Sequence, residues 1–167
     1  MNIILTGSIG AGKSTVVRAA MNRLGWREPA GYFTRWGDPG RTLFIETWNG
    51  RATPVARPAA AAPDALSPPL VFDRARFTRE AMAALTPGSG NPVVVDELGV
   101  LELGADDLAR RLAAVFQGPA GVLAVIQQRA FERWMAILDP RTLTHVFTVD
   151  SSTRNDLPAR IAALFQA

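Results

Sequence analysis

The 167-residue sequence contains no cysteine and a single histidine. The absence of cysteine excludes disulfide bonds and thiolate metal sites. No apolar run is long enough to span a bilayer, and no internal repeat is visible. Strand and turn signals begin at Met1, which leaves no room for a signal peptide. We therefore expect a cytoplasmic protein with no membrane association.

Neither sign of charge dominates the sequence, since 18 basic and 15 acidic residues leave a net charge of only +3. The arginines are scattered singly and form no basic block with interleaved aromatic residues, which argues against nucleic acid as a partner. Mild basicity does suit an anionic ligand. The length fits one domain over residues 1–167 that can bury a sizeable core.

Lysine is also scarce, since Lys13 is the only lysine against seventeen arginines. It lies in a glycine-rich stretch that follows the apolar residues 3–5 and precedes a segment with helical spacing. This order of strand, glycine-rich turn and helix is the context that the G-x-x-x-x-G-K-[ST] pattern of a phosphate-binding loop requires. The predicted nucleotide-binding residues of the loop are Gly7, Ser8, Ile9, Gly10, Ala11, Gly12, Lys13, Ser14 and Thr15.

The chemistry of such a loop is local. The N–H groups of residues 10–15 can face a polyphosphate at the positive end of the helix that follows. Lys13 would reach the β- and γ-phosphates, and the Ser14 hydroxyl would ligate Mg²⁺. The alternative, a glycine-rich turn that contains Lys-Ser by chance, arises in about one chain of this length in two hundred.

A second cluster of polar residues closes the apolar run of residues 93–95. Such a run is typical of a fully buried parallel strand, and ligands of parallel sheets lie at the carboxyl ends of the strands. Asp96 would therefore hold Mg²⁺, and Glu97 would activate the attacking water. The alternative is a carboxylate pair that only closes the strand and caps the next helix.

The remaining pattern alternates apolar strands with helices, which predicts an α/β fold whose mostly parallel sheet is covered by helices on both faces. A hairpin-rich insertion is expected over about residues 31–56, with its turn at Asn49-Gly50. Residues 57–69 are rich in proline and alanine and predict a surface loop. Gly25 is expected to end the first helix, Asp73 to cap another, and residues 155–165 to form the last.

The sequence resembles the THEP-type nucleoside triphosphatases, also called the cancer-related NTPase family. Residues 96–103 match the family's Asp-Glu-[IL]-Gly-x-x-Glu-Leu motif, and weaker similarities are found at residues 31–34, 41–44, 146–149 and 154–155. The resemblance implies Mg²⁺-dependent hydrolysis of nucleoside triphosphates to diphosphate and phosphate, with loose base selectivity. It also implies a RecA-like P-loop NTPase fold, in which another strand separates the loop strand from the Asp96 strand.

The sequence departs from this family at three places. Val100 stands where the family usually has lysine, Arg35-Trp36 where it has two glutamates, and Thr153 where it has asparagine. None of these changes removes a predicted phosphate or Mg²⁺ ligand. The lost side chains could have served charge neutralisation or a partner surface, so a protein partner stays open.

Three further residues are candidates for the site. Glu102 is predicted to be catalytic, orienting Glu97 or a water, although an acid near a helix start could merely favour the helix dipole. Arg154 and Asn155 follow the last strand and could contact the base, or serve as a solvated arginine and a helix cap. Arg129 and Arg133 are expected on a solvated helix face.

Three functions are open at this point. A slow intrinsic hydrolase of ATP, GTP and other triphosphates is favoured, because no pattern places an arginine at the γ-phosphate, where it would be worth roughly 10³ to 10⁵ in rate. The first alternative is a small-molecule or nucleoside kinase, which needs a site for an acceptor hydroxyl. The second is a nucleotide-gated binding module with negligible hydrolysis.

Overall fold

The computed structural model describes residues 1–37, 42–58, 70–86, 91–140 and 143–167. The strands in these ranges are β1 (Asn2–Thr6), β2 (Ala30–Trp36), β3 (Leu43–Thr47), β4 (Ala52–Pro58), β5 (Leu70–Phe72), β6 (Val93–Leu98), β7 (Val122–Ile126) and β8 (Thr144–Thr148). The helices are α1 (Lys13–Leu24), α2 (Arg74–Ala84), α3 (Asp106–Gln117), α4 (Phe131–Leu138) and α5 (Leu157–Gln166), with single 3₁₀ turns at Glu102–Gly104 and Gln128–Ala130.

The strands form one sheet in the order β5-β4-β3-β2-β6-β7-β1-β8. Strands β2, β6, β7, β1 and β8 pair in parallel, whereas β3, β4 and β5 add antiparallel strands at one side. Strand β7 lies between β1 and β6, as the family resemblance implies. The predicted α/β class and mostly parallel sheet are confirmed.

The core lies on both faces of this sheet, because alternate residues of a strand point to opposite sides. Ile3 and Leu5 of β1 belong to a buried cluster that includes residues of α1 and α5. Ile4 belongs to a second cluster, in which Phe77 of α2 and Trp134 of α4 are fully buried. Full burial of a large apolar side chain contributes about 1.5 to 3 kcal/mol, so these two clusters are the main source of stability.

The predicted hairpin is present, but it does not form a separate insertion. Strands β3 and β4 are antiparallel and joined through the turn at Asn49-Gly50, as expected. Strand β2 belongs to the parallel part of the sheet, where Gly31 pairs with Val94 of β6. Residues 57 and 58 belong to β4 rather than to the predicted loop, because β4 continues as the pairing partner of β5. The rest of that loop, residues 59–69, lies outside the described residues.

Most predicted helix ends are confirmed. Gly25 ends α1 in the left-handed conformation with φ 69°, and the Asp73 carboxylate caps α2 by accepting from the Arg76 N–H at 2.9 Å. The last helix begins at Leu157 rather than at residue 155, so the prediction there was wrong. The Asp150 carboxylate instead accepts the N–H groups of Ser152 and Thr153, which holds the chain in turns before the helix can start.

Two predicted turns, at residues 38–40 and 87–91, fall wholly or mainly outside the described residues. Within the described ranges, no helix combines the length and apolar character needed to cross a membrane.

The contact between β2 and β6 gives a test of the fold. Gly31 has φ +105°, and a Cβ there would lie 2.1 Å from the Val94 carbonyl oxygen, which also accepts a hydrogen bond from the Trp48 indole at 2.9 Å. We expect Gly31→Ala to lower the free energy of unfolding by about 2 to 5 kcal/mol, from backbone strain together with overpacking. Denaturant unfolding of the purified variant measures this loss.

Gly50→Ala is the matched control, because Gly50 also has a positive φ but a Cβ there meets nothing within 4 Å. The backbone strain alone should lower its free energy of unfolding by about 1 to 2 kcal/mol. Equal losses at the two positions would show that the contact with Val94 is unimportant.

Candidate nucleotide-binding site

The glycine-rich loop connects β1 to α1 at the carboxyl edge of the sheet. Gly7 has φ +136°, and a Cβ there would lie 2.5 Å from the Val149 carbonyl oxygen, so the loop begins in close contact with the chain that leaves β8. The loop then enters α1 through Gly12, which adopts a left-handed conformation directly before the helix. The first N–H groups of α1 therefore stand at the end of the loop, as an anion site requires.

The Lys13 side chain is held within this loop. Its ammonium donates to the carbonyl oxygens of Gly7 at 3.0 Å and Ser8 at 2.8 Å, and the residue is 9% exposed. These bonds use two of the three N–H donors of the ammonium and compensate for its burial. The positive charge therefore lies within the loop whose amides are predicted to bind an anion.

Asp96 and Ser14 lie together, as predicted for the two metal ligands. The Asp96 carboxylate is 5% exposed and accepts a hydrogen bond from the Ser14 hydroxyl. Burial raises its pKa to about 6, with a further contribution from the charge of Glu97. The Ser14 hydrogen bond and the charges of Arg18 and Lys13 act in the opposite direction.

This donor set fits Mg²⁺. A carboxylate and a hydroxyl supply oxygen ligands of the kind that Mg²⁺ takes when it also binds substrate phosphates and water. Within the described residues, no group of three or more histidine, cysteine or acidic side chains could hold a metal ion. A cation bound at Asp96 would favour the ionised carboxylate and so oppose the effect of burial on its pKa.

Glu97 follows Asp96 through a cis peptide bond, and its side chain lies between two cavities. One cavity, of about 320 Å³, is lined by the loop, Asp96, Glu97 and residues of β2 and β3. The other, of about 550 Å³, is lined by the start of the loop, Glu97 and the segment after β7. Lys13 lines both. The acids and the loop predicted from separate parts of the sequence therefore form one site.

Several residues of this site were missed in the sequence. Gln127 and Gln128 line the larger cavity, while Thr34, Trp36 and Leu43 line the smaller one. The Gln127 amide donates to Glu97 Oε1. The available signal was its place directly after the buried strand β7, since the carboxyl ends of parallel strands share one edge of the sheet.

The two arginines expected on a solvated face differ. Both are exposed, as expected, but Arg133 lies on α4 whereas Arg129 lies before it and lines the larger cavity together with Lys13. Arg129 therefore belongs to the 3₁₀ turn of residues 128–130 rather than to the expected helix. The Arg129 Nε–H donates to Gln127 Oε1 at 3.2 Å.

Glu102 lies behind the turn that follows Glu97 and lines neither cavity. Its carboxylate is 5% exposed and accepts from the Gly99 N–H at 2.8 Å. Burial raises the pKa of Glu102, the hydrogen bonds from its own and the Gly99 backbone lower it, and the charge of Glu97 raises it further. The structure therefore places Glu102 as a support for the turn, while its predicted catalytic role stays a prediction.

Arg154 approaches the loop from the segment after β8. Its Cδ lies 3.7 Å from the position that a Cβ on Gly12 would take. Asn155 follows in an exposed turn. Contact of these two residues with a nucleotide stays a prediction. His145 lies on β8, where its ring stacks on Phe147 with 6.2 Å between the ring centroids, in keeping with a structural role.

Comparison with known proteins identifies the family. A family model described as NTPase matches residues 2–162. The chain belongs to the NTPase family. The sequence-based prediction of an enzyme that hydrolyses nucleoside triphosphates is therefore confirmed at the level of the family.

Individual relatives of this NTPase agree. The nucleoside-triphosphatase THEP1 of Natranaerobius thermophilus is 30% identical over 169 residues, which cover 96% of this chain and 94% of the relative. The crystal structure of THEP1 from Aquifex aeolicus superposes with a TM-score of 0.80 at 20% identity and covers 100% of both chains. The solution structure of a human cancer-related nucleoside triphosphatase gives 0.78 at 22% identity and covers 99% of this chain and 97% of the other. The two structural similarities establish the P-loop NTPase fold.

Because Glu102 is buried, we expect the free energy of unfolding to depend on pH. Because folding raises its pKa, the folded NTPase binds a proton that the unfolded chain releases, and stability falls as the pH rises between the two values. Glu102→Gln removes this titration and keeps an acceptor for Gly99. We expect the stability of the variant relative to the parent to be greater at about pH 8 than at about pH 5, as measured by urea unfolding.

Glu132→Gln, at an exposed position of α4, is the control and should show no such change between the two pH values. A difference between parent and Glu102→Gln that stays constant with pH would contradict the role of burial.

Proposed function

We propose that this NTPase hydrolyses nucleoside triphosphates, ATP and GTP among them, to diphosphate and phosphate in a Mg²⁺-dependent reaction. The observation that supports this most strongly is the convergence of Lys13, the Ser14–Asp96 pair and Glu97 on one site at the carboxyl edge of the sheet. These groups supply, respectively, a cation for phosphate oxygens, an oxygen donor pair for a metal, and a base.

Binding of the triphosphate rests on the loop and Lys13. The amides of residues 10–15 would bond the phosphate oxygens, and the Lys13 ammonium would leave the Gly7 and Ser8 carbonyls to contact the β- and γ-phosphates. One such charge contact near a protein surface is worth about 4 kcal/mol. Arg154, beside Gly12, and Asn155 are proposed to contact the nucleoside part.

The metal would be held by the Ser14 hydroxyl and the Asp96 carboxylate. When bound with the triphosphate, Mg²⁺ supplies neutralisation of the charge on the β- and γ-phosphate oxygens. Asp96 lies in β6 directly before Glu97, and Ser14 lies in the first turn of α1.

Proton transfer is the proposed role of Glu97. Because Gln127 occupies Oε1, Oε2 is the oxygen that we expect to accept the proton of the attacking water. The water oxygen then forms the bond to the γ-phosphorus as the bond to the diphosphate oxygen breaks. A well-placed general base of this kind contributes about 10² to 10⁴ in rate.

Turnover is proposed to be slow. An arginine that stabilises the charge on the transferred phosphoryl group is worth roughly 10³ to 10⁵. Arg129, the arginine that lines the larger cavity within the described residues, donates its Nε–H to Gln127. This contact uses one of the five N–H donors of the guanidinium. Slow turnover is proposed because no sequence pattern places an arginine at the γ-phosphate.

Phosphate release from each common nucleoside triphosphate, with and without Mg²⁺ and with no acceptor present, tests the reaction. We expect release only with Mg²⁺, with kcat below about 10 s⁻¹, which is near the median of enzymes. Release that requires an added hydroxyl acceptor would indicate a kinase, and tight nucleotide binding without release would indicate a binding module.

Two variants test the separate roles. Glu97→Gln should bind Mg²⁺ and nucleotide as the parent does but lower kcat by about 10² to 10⁴, because the amide cannot accept the proton. Lys13→Ala should lose both binding and turnover, because the phosphate charge would then lack its ammonium. Nucleotide affinity and kcat are measured on the same preparations.

Glu132→Gln, on the exposed face of α4, serves as the control for the loss of an acidic side chain and should keep the parent kcat. Full activity in Glu97→Gln would exclude Glu97 as the base.

A further inference from the structure

We propose that Gln127 is a positioning residue that fixes the Glu97 carboxylate for proton transfer, and that Arg129 in turn fixes Gln127. The proposal rests on the role of Glu97 as the base in the proposed function. Neither the sequence motifs nor the family resemblance pointed to Gln127. The proposal rests on a continuous chain of side-chain contacts at the end of β7.

The contacts define the orientation of the Gln127 amide. Its Nε2 donates to Glu97 Oε1, and its Oε1 accepts the Arg129 Nε–H at 3.2 Å. A guanidinium can only donate hydrogen bonds, and an ionised carboxylate can only accept them. The amide can therefore satisfy both neighbours in one of its two orientations only, with its N–H₂ group toward the base.

The backbone of Gln127 is fixed as well. Its N–H donates to the Leu98 carbonyl at 2.9 Å, and its own carbonyl accepts from the Ala130 N–H at 2.9 Å. The first of these bonds joins Gln127 directly to the segment that carries Glu97. Main-chain hydrogen bonding therefore fixes the backbone of Gln127 close to the backbone of Glu97.

The Gln127 side chain also lies against a rigid surface. A Cβ at Gly99 would lie 2.8 Å from the amide atoms, so the side chain passes directly over the Gly99 backbone. That backbone is held on both sides, because the Gly99 carbonyl accepts from the buried Trp134 indole at 2.9 Å and its N–H donates to Glu102 at 2.8 Å. The surface under Gln127 therefore has little freedom to move.

Glu97 needs such support. Its side chain is only half-buried and has three rotatable bonds, whereas a general base must stand within hydrogen-bond reach of the water it activates. Within the described part of the chain, its side-chain hydrogen bond is to Gln127. Since the Gln127 amide binds Glu97 through its N–H₂ group and Arg129 through its oxygen, we expect Gln127 to affect the chemical step more than nucleotide binding.

Gln127→Met is the direct test, because methionine has a similar length and makes neither hydrogen bond. We expect kcat to fall about 10- to 100-fold, the size of effect that a misplaced catalytic group produces. The affinity for Mg²⁺ and a non-hydrolysable triphosphate analogue should change by less than about twofold, since no nucleotide contact is lost. Gln117→Met, at an exposed position of α3, is the matched control and should keep the parent kcat.

A double-mutant cycle with Glu97→Gln separates positioning from a general structural effect. If Gln127 acts through Glu97, adding Gln127→Met to Glu97→Gln should change the residual kcat by less than about twofold. A full, additive loss in that background would overturn the proposal. So would weaker nucleotide binding with unchanged kcat, because it would make Gln127 a substrate contact.

Arg129→Met provides a second variant at an exposed position, which keeps the proposal testable if Gln127→Met fails to fold. It should lower kcat in the parent and have little effect in Glu97→Gln. Full turnover by Glu97→Gln would contradict both the role of Glu97 as the base and the positioning role of Gln127. Parent-like kcat in Gln127→Met or Arg129→Met beside an inactive Glu97→Gln would remove the positioning role alone.

Discussion

Parallel pairing of β7 with β1 on one side and β6 on the other is the constraint on which the site depends. Val125 of β7 lies opposite Leu5 in the first pair and opposite Asp96 in the second. The three strands therefore end at the same level, and the residues that follow them meet at one edge of the sheet.

The electrostatics of the site depend on the burial of Asp96 at this edge of the sheet. Asp96 lies deep enough for desolvation to raise its pKa to about 6, although the Ser14 hydroxyl and the charges of Lys13 and Arg18 favour its ionised form. A buried carboxylate with only partial compensation is a suitable place for a cation that arrives with a phosphate ligand. The same arrangement makes the proposed Mg²⁺ site and the phosphate loop interdependent.

The acidic motif that carries the family resemblance has a physical explanation in the structure. Asp96 and Glu97 face the loop, whereas Gly99 and Glu102 support them from behind. Gly99 has no side chain because the Gln127 amide occupies that space, and the buried Glu102 carboxylate takes up the Gly99 N–H. The motif therefore combines residues for chemistry with residues that hold the turn.

Local spacing was enough to predict the glycine-rich turn between β1 and α1, the strand that carries Asp96 and Glu97, the Asp73 cap and the α/β class, because each depends on residues close in sequence. Tertiary structure alone brought Gln127 and Arg129 to Glu97, since a uniformly apolar strand such as β7 carries no information about its neighbours in the sheet. It also merged the predicted hairpin with the main sheet through the pairing of Gly31 with Val94. Sequence thus determined which chemical groups are available, and the order and register of the strands decided which of them meet.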